Sequence, residues 1–142
     1  SYQPLLDNDT IFCTNLVKRI DSHKDFIDRN TIKVVMNHQF DALYFSREPI
    51  PTLEVKDFPG APAFKQVCII PFRRDFLLEY TDMEPTPLEI IESVDMNRLL
   101  ESGIKIKMVL TDKSTFAVDT EKDLAFVREV MLSDPFFKEY SI

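Results

Sequence analysis

The chain reads as a single α/β or α+β domain on three observations. Its first half holds several short β-branched, apolar runs in succession. Its second half holds two stretches that begin with capping boxes and continue with apolar residues at helical spacing. Its 142 residues, 44% hydrophobic and 29% charged, suit one soluble domain with a sizeable core.

Ser1 to Asn8 is polar, contains Pro4 and reads as a lead-in. Thr10 to Ile20 alternates β-branched and apolar positions and predicts a strand. Asp21 to Asn30 is charged, with room for one helical turn around Phe26 and Ile27. Thr31 to Met36 and Asp41 to Arg47 predict a β-hairpin across the turn-forming Asn37-His38-Gln39. Four prolines and Gly60 between Glu48 and Ala63 rule out a regular element and make a long loop. Lys65 to Phe72 predicts a fourth strand, with Pro71 marking an edge or the strand end because it has no N–H to donate. Arg74 to Tyr80 predicts a short helix with Phe76, Leu77 and Tyr80 inward.

Glu84 to Gly103 carries the clearest local signals. Thr86, Pro87 and Glu89 form a capping box with proline at the first helical position, and Gly103 is the stop. These predict one helix of about four turns with Leu88, Ile91, Val94 and Leu99 on its buried stripe. Asp95 falls inside that stripe, so it is either a structural ion pair or a functional acid. Ile104 to Leu110 alternates Ile and Lys and predicts a half-exposed strand. Thr120 and Asp123 make a second capping box for a helix over 119–132, with Leu124, Val127 and Met131 buried. The aromatic tail, 133–142, offers Phe136, Phe137 and Tyr140 for packing on the body or on a second subunit.

Composition excludes several classes of function. A net charge of -7 with dispersed Lys and Arg excludes a duplex nucleic-acid surface. No apolar run reaches the length of a membrane span, and without a visible signal peptide a cytoplasmic location is expected. Cys13 and Cys68 stand alone and read as small buried residues in a reducing compartment, without a disulfide. His23 and His38 lie in polar connectors and read as exposed. With Gly60 and Gly103 as the only glycines, no glycine-rich phosphate loop exists in this chain.

Three polar positions remain as candidate chemistry. Ser46 and Arg47 end the third strand, where the planar fork of an arginine suits a carboxylate or phosphate; the alternative is a surface ion pair with Glu48 or Glu54. Asp119 directly precedes the second capping box and suits a magnesium ion, which takes one or two protein carboxylates plus substrate oxygens; the alternative is helix capping. Asp95 is the third.

At these stretches the sequence resembles the CMP-Kdo synthetases (3-deoxy-manno-octulosonate cytidylyltransferases) and, more broadly, the sugar-acid cytidylyltransferases. Ala42 to Pro51, ALYFSREPIP, is similar to that family's ALYFSRxPIP signature. Glu84 to Leu100 is similar to its PSPLExIExLEQLRxL helix, and 117–128, AVDTEKDLAFVR, to its GVDTPEDLxxVR ending. Order and spacing agree from about Ile11 to Met131. The resemblance implies the C-terminal portion of a three-layer α/β/α nucleotidyltransferase (GT-A-like) fold with a mixed sheet. The activity it implies is transfer of CMP from CTP to a sugar acid, releasing pyrophosphate with magnesium, as in activating precursors of lipopolysaccharide or other surface glycans. It also implies a homodimer, and that the CTP-binding half lies outside these residues, so that this chain alone binds CTP poorly.

Carried over by position, Arg47 with Ser46 matches the arginine that contacts the sugar acid, Asp119 the metal-binding aspartate and Asp95 a sugar-bonding glutamate. Met96 replaces a glutamine, Gln66 and Ile70 stand where the family has histidine and tyrosine, and Thr52 stands for a frequent tryptophan. The fold thus matches more closely than the acceptor pocket, and an acceptor other than Kdo itself is an expectation of equal weight. A non-catalytic dimerisation module built on the same fold, or a nucleotidyltransferase acting on another small acid, is the alternative.

Overall fold

A computed structural model describes residues 1–54, 60–113, 115, 116, 118 and 120–140. They divide into two compact units, Ser1–Asp112 and Lys113–Ile142. The first carries a five-stranded mixed sheet in the order β3-β2-β4-β1-β5, built from β1 (Cys13–Arg19), β2 (Lys33–Met36), β3 (Ala42–Ser46), β4 (Phe64–Val67) and β5 (Ile106–Leu110). All neighbours are antiparallel except β1 and β5, which run parallel. This is an α/β fold, as expected.

The predicted hairpin forms between β2 and β3. At its turn Asn37 Oδ1 accepts the main-chain N–H groups of Gln39 and Asp41, each at 2.9 Å, and Phe40 takes a left-handed φ of 61°. β4 is shorter than the predicted Lys65–Phe72. After Val67 a three-residue turn closes with Ile69 N–H on the Val67 carbonyl at 2.7 Å, which breaks the ladder. The chain still follows β1, since Thr14 N–H donates to the Pro71 carbonyl and Leu16 N–H to that of Ile69. β4 itself is an interior strand, so Pro71 marks the strand end and not a sheet edge.

Helices α1 (Gln3–Asp7), α2 (His23–Ile27), α3 (Arg74–Asp82), α4 (Pro87–Glu92) and α5 (Met96–Glu101) complete this unit. The lead-in therefore contains a helical turn, with Leu5 buried and the Arg73 guanidinium donating to the Ile11 and Asn8 carbonyls at 2.9 and 3.1 Å. The largest correction falls on 84–103, which is two short helices and not one. Ser93 adopts a left-handed φ of 52° and ends α4, its N–H bonding the Glu89 carbonyl. That break changes the phase of the apolar face. Val94, Met96 and Leu99 become almost fully buried, while Ile91, predicted inside, is 76% exposed. Leu77 of α3 is likewise exposed, and Phe76 alone of that helix is buried.

One core joins sheet and helices, through Val17, Val34, Phe45, Met96, Leu99, Ile106 and Met108 among others. A smaller cluster of Ile20, Phe26 and Ala63 lies under α2. Cys13 is buried, and the thiol is pushed up to about 12 by burial, with Asp95 adding to the shift. Cys68, expected inside, is exposed. His38 is exposed, whereas His23 is half-buried and tilts against the Phe26 ring.

The second unit contains α6 (Glu121–Ser133) and α7 (Pro135–Tyr140). The second capping box is complete: Thr120 Oγ1 accepts from Asp123 N–H at 3.2 Å, and Thr120 N–H donates to Asp123 Oδ2 at 2.9 Å. Within this unit no residue of α6 is fully buried: Val127 is half-buried, and Leu124, Met131, Phe136 and Phe137 are exposed.

Candidate functional site

Ser46 and Arg47 close β3 against the last turn of α4, and the group that gathers them is Glu92. Glu92 Oε1 accepts from Ser46 Oγ at 2.8 Å and from the Tyr44 hydroxyl at 3.0 Å; Oε2 accepts the Arg47 main-chain N–H at 2.9 Å. Burial acts to raise the Glu92 carboxyl, but these three donors outweigh it and hold the group below the ordinary carboxylate value. A carboxylate in the last turn of a helix opposes the helix dipole and so calls for such partners. That was the readable signal for Glu92, which sequence reasoning missed.

The Arg47 guanidinium donates to three main-chain carbonyls: Nε to Glu92 at 2.9 Å, Nη1 to Arg29 at 3.0 Å and Nη2 to Ser93 at 3.1 Å. Of the two acids considered as its surface partners, Glu48 is instead bridged by Arg29 at 2.9 Å. Three of its five N–H groups are thereby used, which leaves one on each Nη.

Behind this strand end lies a second missed residue, Lys33, which has no exposed surface. Its ammonium donates to the carbonyls of Asp28, Thr31 and Arg47, so three bonds replace the lost water. Burial still lowers its affinity for the proton, with the nearby Asp28 charge opposing that shift. A lysine inside the run TIKVVM was the available signal. Asn97, also fully buried, closes the outer edge of β3: its Oδ1 accepts Phe45 N–H at 3.3 Å and its Nδ2 donates to the Phe45 carbonyl at 3.0 Å.

Between β4 and the α4–α5 break is a cleft of about 510 Å³, whose polar lining is Gln66, Cys68, Glu89, Ser93 and Asp95. Ile32, Ile70 and Val94 contribute apolar wall. Gln66 Nε2 donates to Asn15 Oδ1 at 2.7 Å, and Asn15 Nδ2 donates to the Val67 carbonyl at 2.7 Å. Glu89 takes a two-pronged bond from Arg98 at 2.6 and 2.7 Å, and the Arg98 hydrogen bond holds its carboxyl below the usual range. Arg98 also lies over the Tyr80 ring, 4.9 Å from its centre.

Asp95 is not on a buried stripe. It is exposed, because the break at Ser93 turns it away from the core and makes it the residue preceding α5. It lines the cleft together with Gln66. The structure therefore brings Gln66 and Asp95 to one cleft and ties Arg47 to that cleft's wall at Ser93. Asp119 lies outside the described residues. Among the described residues no group of three His, Cys, Asp or Glu side chains could hold a metal ion, and no helix is long and apolar enough to cross a membrane.

Comparison with known proteins agrees with this architecture. A family profile described as cytidylyltransferase matches residues 2–106. The 3-deoxy-manno-octulosonate cytidylyltransferase of Geotalea uraniireducens is 38% identical over 136 residues, covering 89% of this chain and 54% of the relative. That of Solibacter usitatus is 39% identical over 121 residues, covering 85% and 48%. A solved structure of CMP:2-keto-3-deoxy-manno-octonic acid synthetase complexed with CTP aligns with a TM-score of 0.82 at 34% identity, covering 92% of this chain and 53% of that one. The chain thus spans about half the length of the relatives it matches. A profile match over most of the sequence, on a fold that superposes closely, establishes that the chain belongs to the cytidylyltransferase family.

Proposed function

We propose that this chain is the acceptor-binding and dimerisation half of a cytoplasmic, homodimeric cytidylyltransferase that transfers CMP from CTP to a sugar acid and releases pyrophosphate. Its product would be an activated precursor for lipopolysaccharide or a related surface glycan. The observation that carries this reading is the cleft beside the Ser46-Arg47 strand end, in a chain that superposes on a synthetase solved with CTP.

In this reading the two remaining N–H groups of Arg47 meet the acceptor carboxylate, with the guanidinium pre-set by its three carbonyl bonds. Ser46, bound to Glu92, supports that arginine and does not need to touch the acceptor. Gln66 and Asp95 meet acceptor hydroxyls across the cleft. Magnesium would neutralise charge on the nucleotide phosphates, with Asp119 supplying a carboxylate and nucleotide oxygens the other ligands.

The test is pyrophosphate release from CTP by the complete gene product across a panel of sugar acids. Turnover with at least one acceptor, reduced at least about 100-fold in Asp119→Asn, is the expected result. No turnover with any acceptor, or full activity in that variant, overturns the assignment.

A further inference from the structure

Lys33 is the largest fully buried polar side chain among the described residues, and the reading above gives it no task. It stands on β2 opposite Ser46, the last residue of β3, while its neighbour Val34 enters the main core on the other face of the sheet. A lysine there loses its water, and an apolar residue of similar length would fill the space without that desolvation. Its ammonium has three protons, and each finds a main-chain carbonyl: Asp28 at 2.8 Å, Thr31 at 2.6 Å and Arg47. The ammonium thus ties the 28–31 turn to the end of β3.

Arg47 is held from two sides, and each side holds both its main chain and its side chain. From α4, Glu92 Oε2 takes the main-chain N–H, and the Glu92 and Ser93 carbonyls take Nε and Nη2. From the 28–31 turn, Lys33 donates to the main-chain carbonyl, and the Arg29 carbonyl takes Nη1 at 3.0 Å. Within that turn Asn30 N–H meets Asp28 Oδ1 at 2.9 Å and Thr31 N–H the Asp28 carbonyl at 3.1 Å, which shape the turn without fastening it to β3. The Arg29–Glu48 pair is exposed and adds little in water. The fastening falls to Lys33.

We propose that Lys33 is a positioning residue for Arg47: by fastening the 28–31 turn to the strand end, it aims the two remaining guanidinium N–H groups. This rests on the cytidylyltransferase reading above, in which Arg47 meets the acceptor carboxylate, and adds a residue that itself touches neither substrate. Without the ammonium the turn is released, the Arg29 carbonyl withdraws from Nη1, and the guanidinium swings about its remaining bonds to α4. A lysine that only satisfied buried carbonyls would differ in one respect. Its loss would lower stability and leave the arginine where it was.

The experiment measures acceptor KM, CTP KM and kcat by pyrophosphate release for the complete gene product and for its Lys33→Met variant. Acceptor KM should rise about tenfold, with CTP KM and kcat each within about threefold of wild type. In NMR spectra of the arginine side chains, the Arg47 Nε–H should exchange with water about tenfold faster than in the wild type. If Lys33→Met does not fold, as judged by far-UV circular dichroism, Lys33→Gln is measured in the same way, since its amide keeps two donors for the carbonyls. An unchanged acceptor KM, an equal rise in both KM values, or an Arg47 signal that exchanges as in the wild type overturns the proposal, while turnover keeps the cytidylyltransferase assignment. Failure of both variants to fold overturns it as well, because the lysine then holds the fold and not the arginine. No turnover by the wild-type protein with any acceptor defeats the two together.

Discussion

Asn97 shows how a single buried amide does the work of a neighbouring strand. β3 is the edge of the sheet, and an edge residue whose N–H and C=O point outward must find partners when it is buried. Phe45 has no exposed surface, and Asn97 supplies both a donor and an acceptor. Asn97→Leu keeps the approximate volume but strands two backbone groups, and should lower stability by about 2 kcal/mol, read as a shift in the urea midpoint. Little of this was legible: an asparagine in a helix pattern reads as surface, and only the approach of α5 to the sheet edge reveals its role. Arg47 was singled out from its place at a strand end, and the structure adds what spacing could not, namely that three main-chain carbonyls orient it.

At the scale of elements, the break between α4 and α5 decides the shape of the cleft. A continuous helix would have carried Ile91 inward with Leu88 and left Asp95 against the sheet. The left-handed Ser93 instead rotates the second segment so that Val94, Met96, Asn97 and Leu99 all face the core. A β-branched residue tolerates that conformation poorly, so Ser93→Val should cost about 1–2 kcal/mol and weaken acceptor binding by disturbing the carbonyl that Arg47 holds. Denaturant unfolding together with acceptor KM checks both effects. Capping signals placed the start of α4 correctly at Pro87, where Thr86 and Glu89 form the predicted capping box and Thr86 N–H donates to Glu89 Oε2 at 3.3 Å. No residue type announced the break, because Ser in an amphipathic run looks like an ordinary exposed helix position. Strand existence was legible throughout from apolar alternation. Strand length was less so, as the three-residue turn at Val67–Ile69 shows.

For the molecule as a whole, three part-buried carboxylates link stability to acid. In Glu89 the Arg98 hydrogen bond leads the downward shift; in Glu92 and Asp41 burial pushes up but is outweighed by donors, the Lys107 ammonium in the case of Asp41. Each folded-state pKa lies below its unfolded value, so the unfolded chain binds more protons and these contributions are complete only above about pH 4.5. They are lost as pH falls through the folded values. Glu89→Gln, which leaves Arg98 without its counter-charge in a pair whose side chains are 13% and 15% exposed, should cost about 3 kcal/mol at pH 7, and that difference should shrink toward pH 3. Urea unfolding at a series of pH values measures both. The α/β class, the hairpin, the starts of α3, α4 and α6 and the family resemblance were determined by the sequence itself, because alternation, capping and turn chemistry act over a few residues. Which residues share a cleft was decided only by the tertiary structure. Gln66 and Asp95 are 29 positions apart in the chain, counted from their numbers. They meet through the path of β4 and the turn at Ser93, and the freedom of a buried or half-buried polar atom depends on neighbours that no local pattern records.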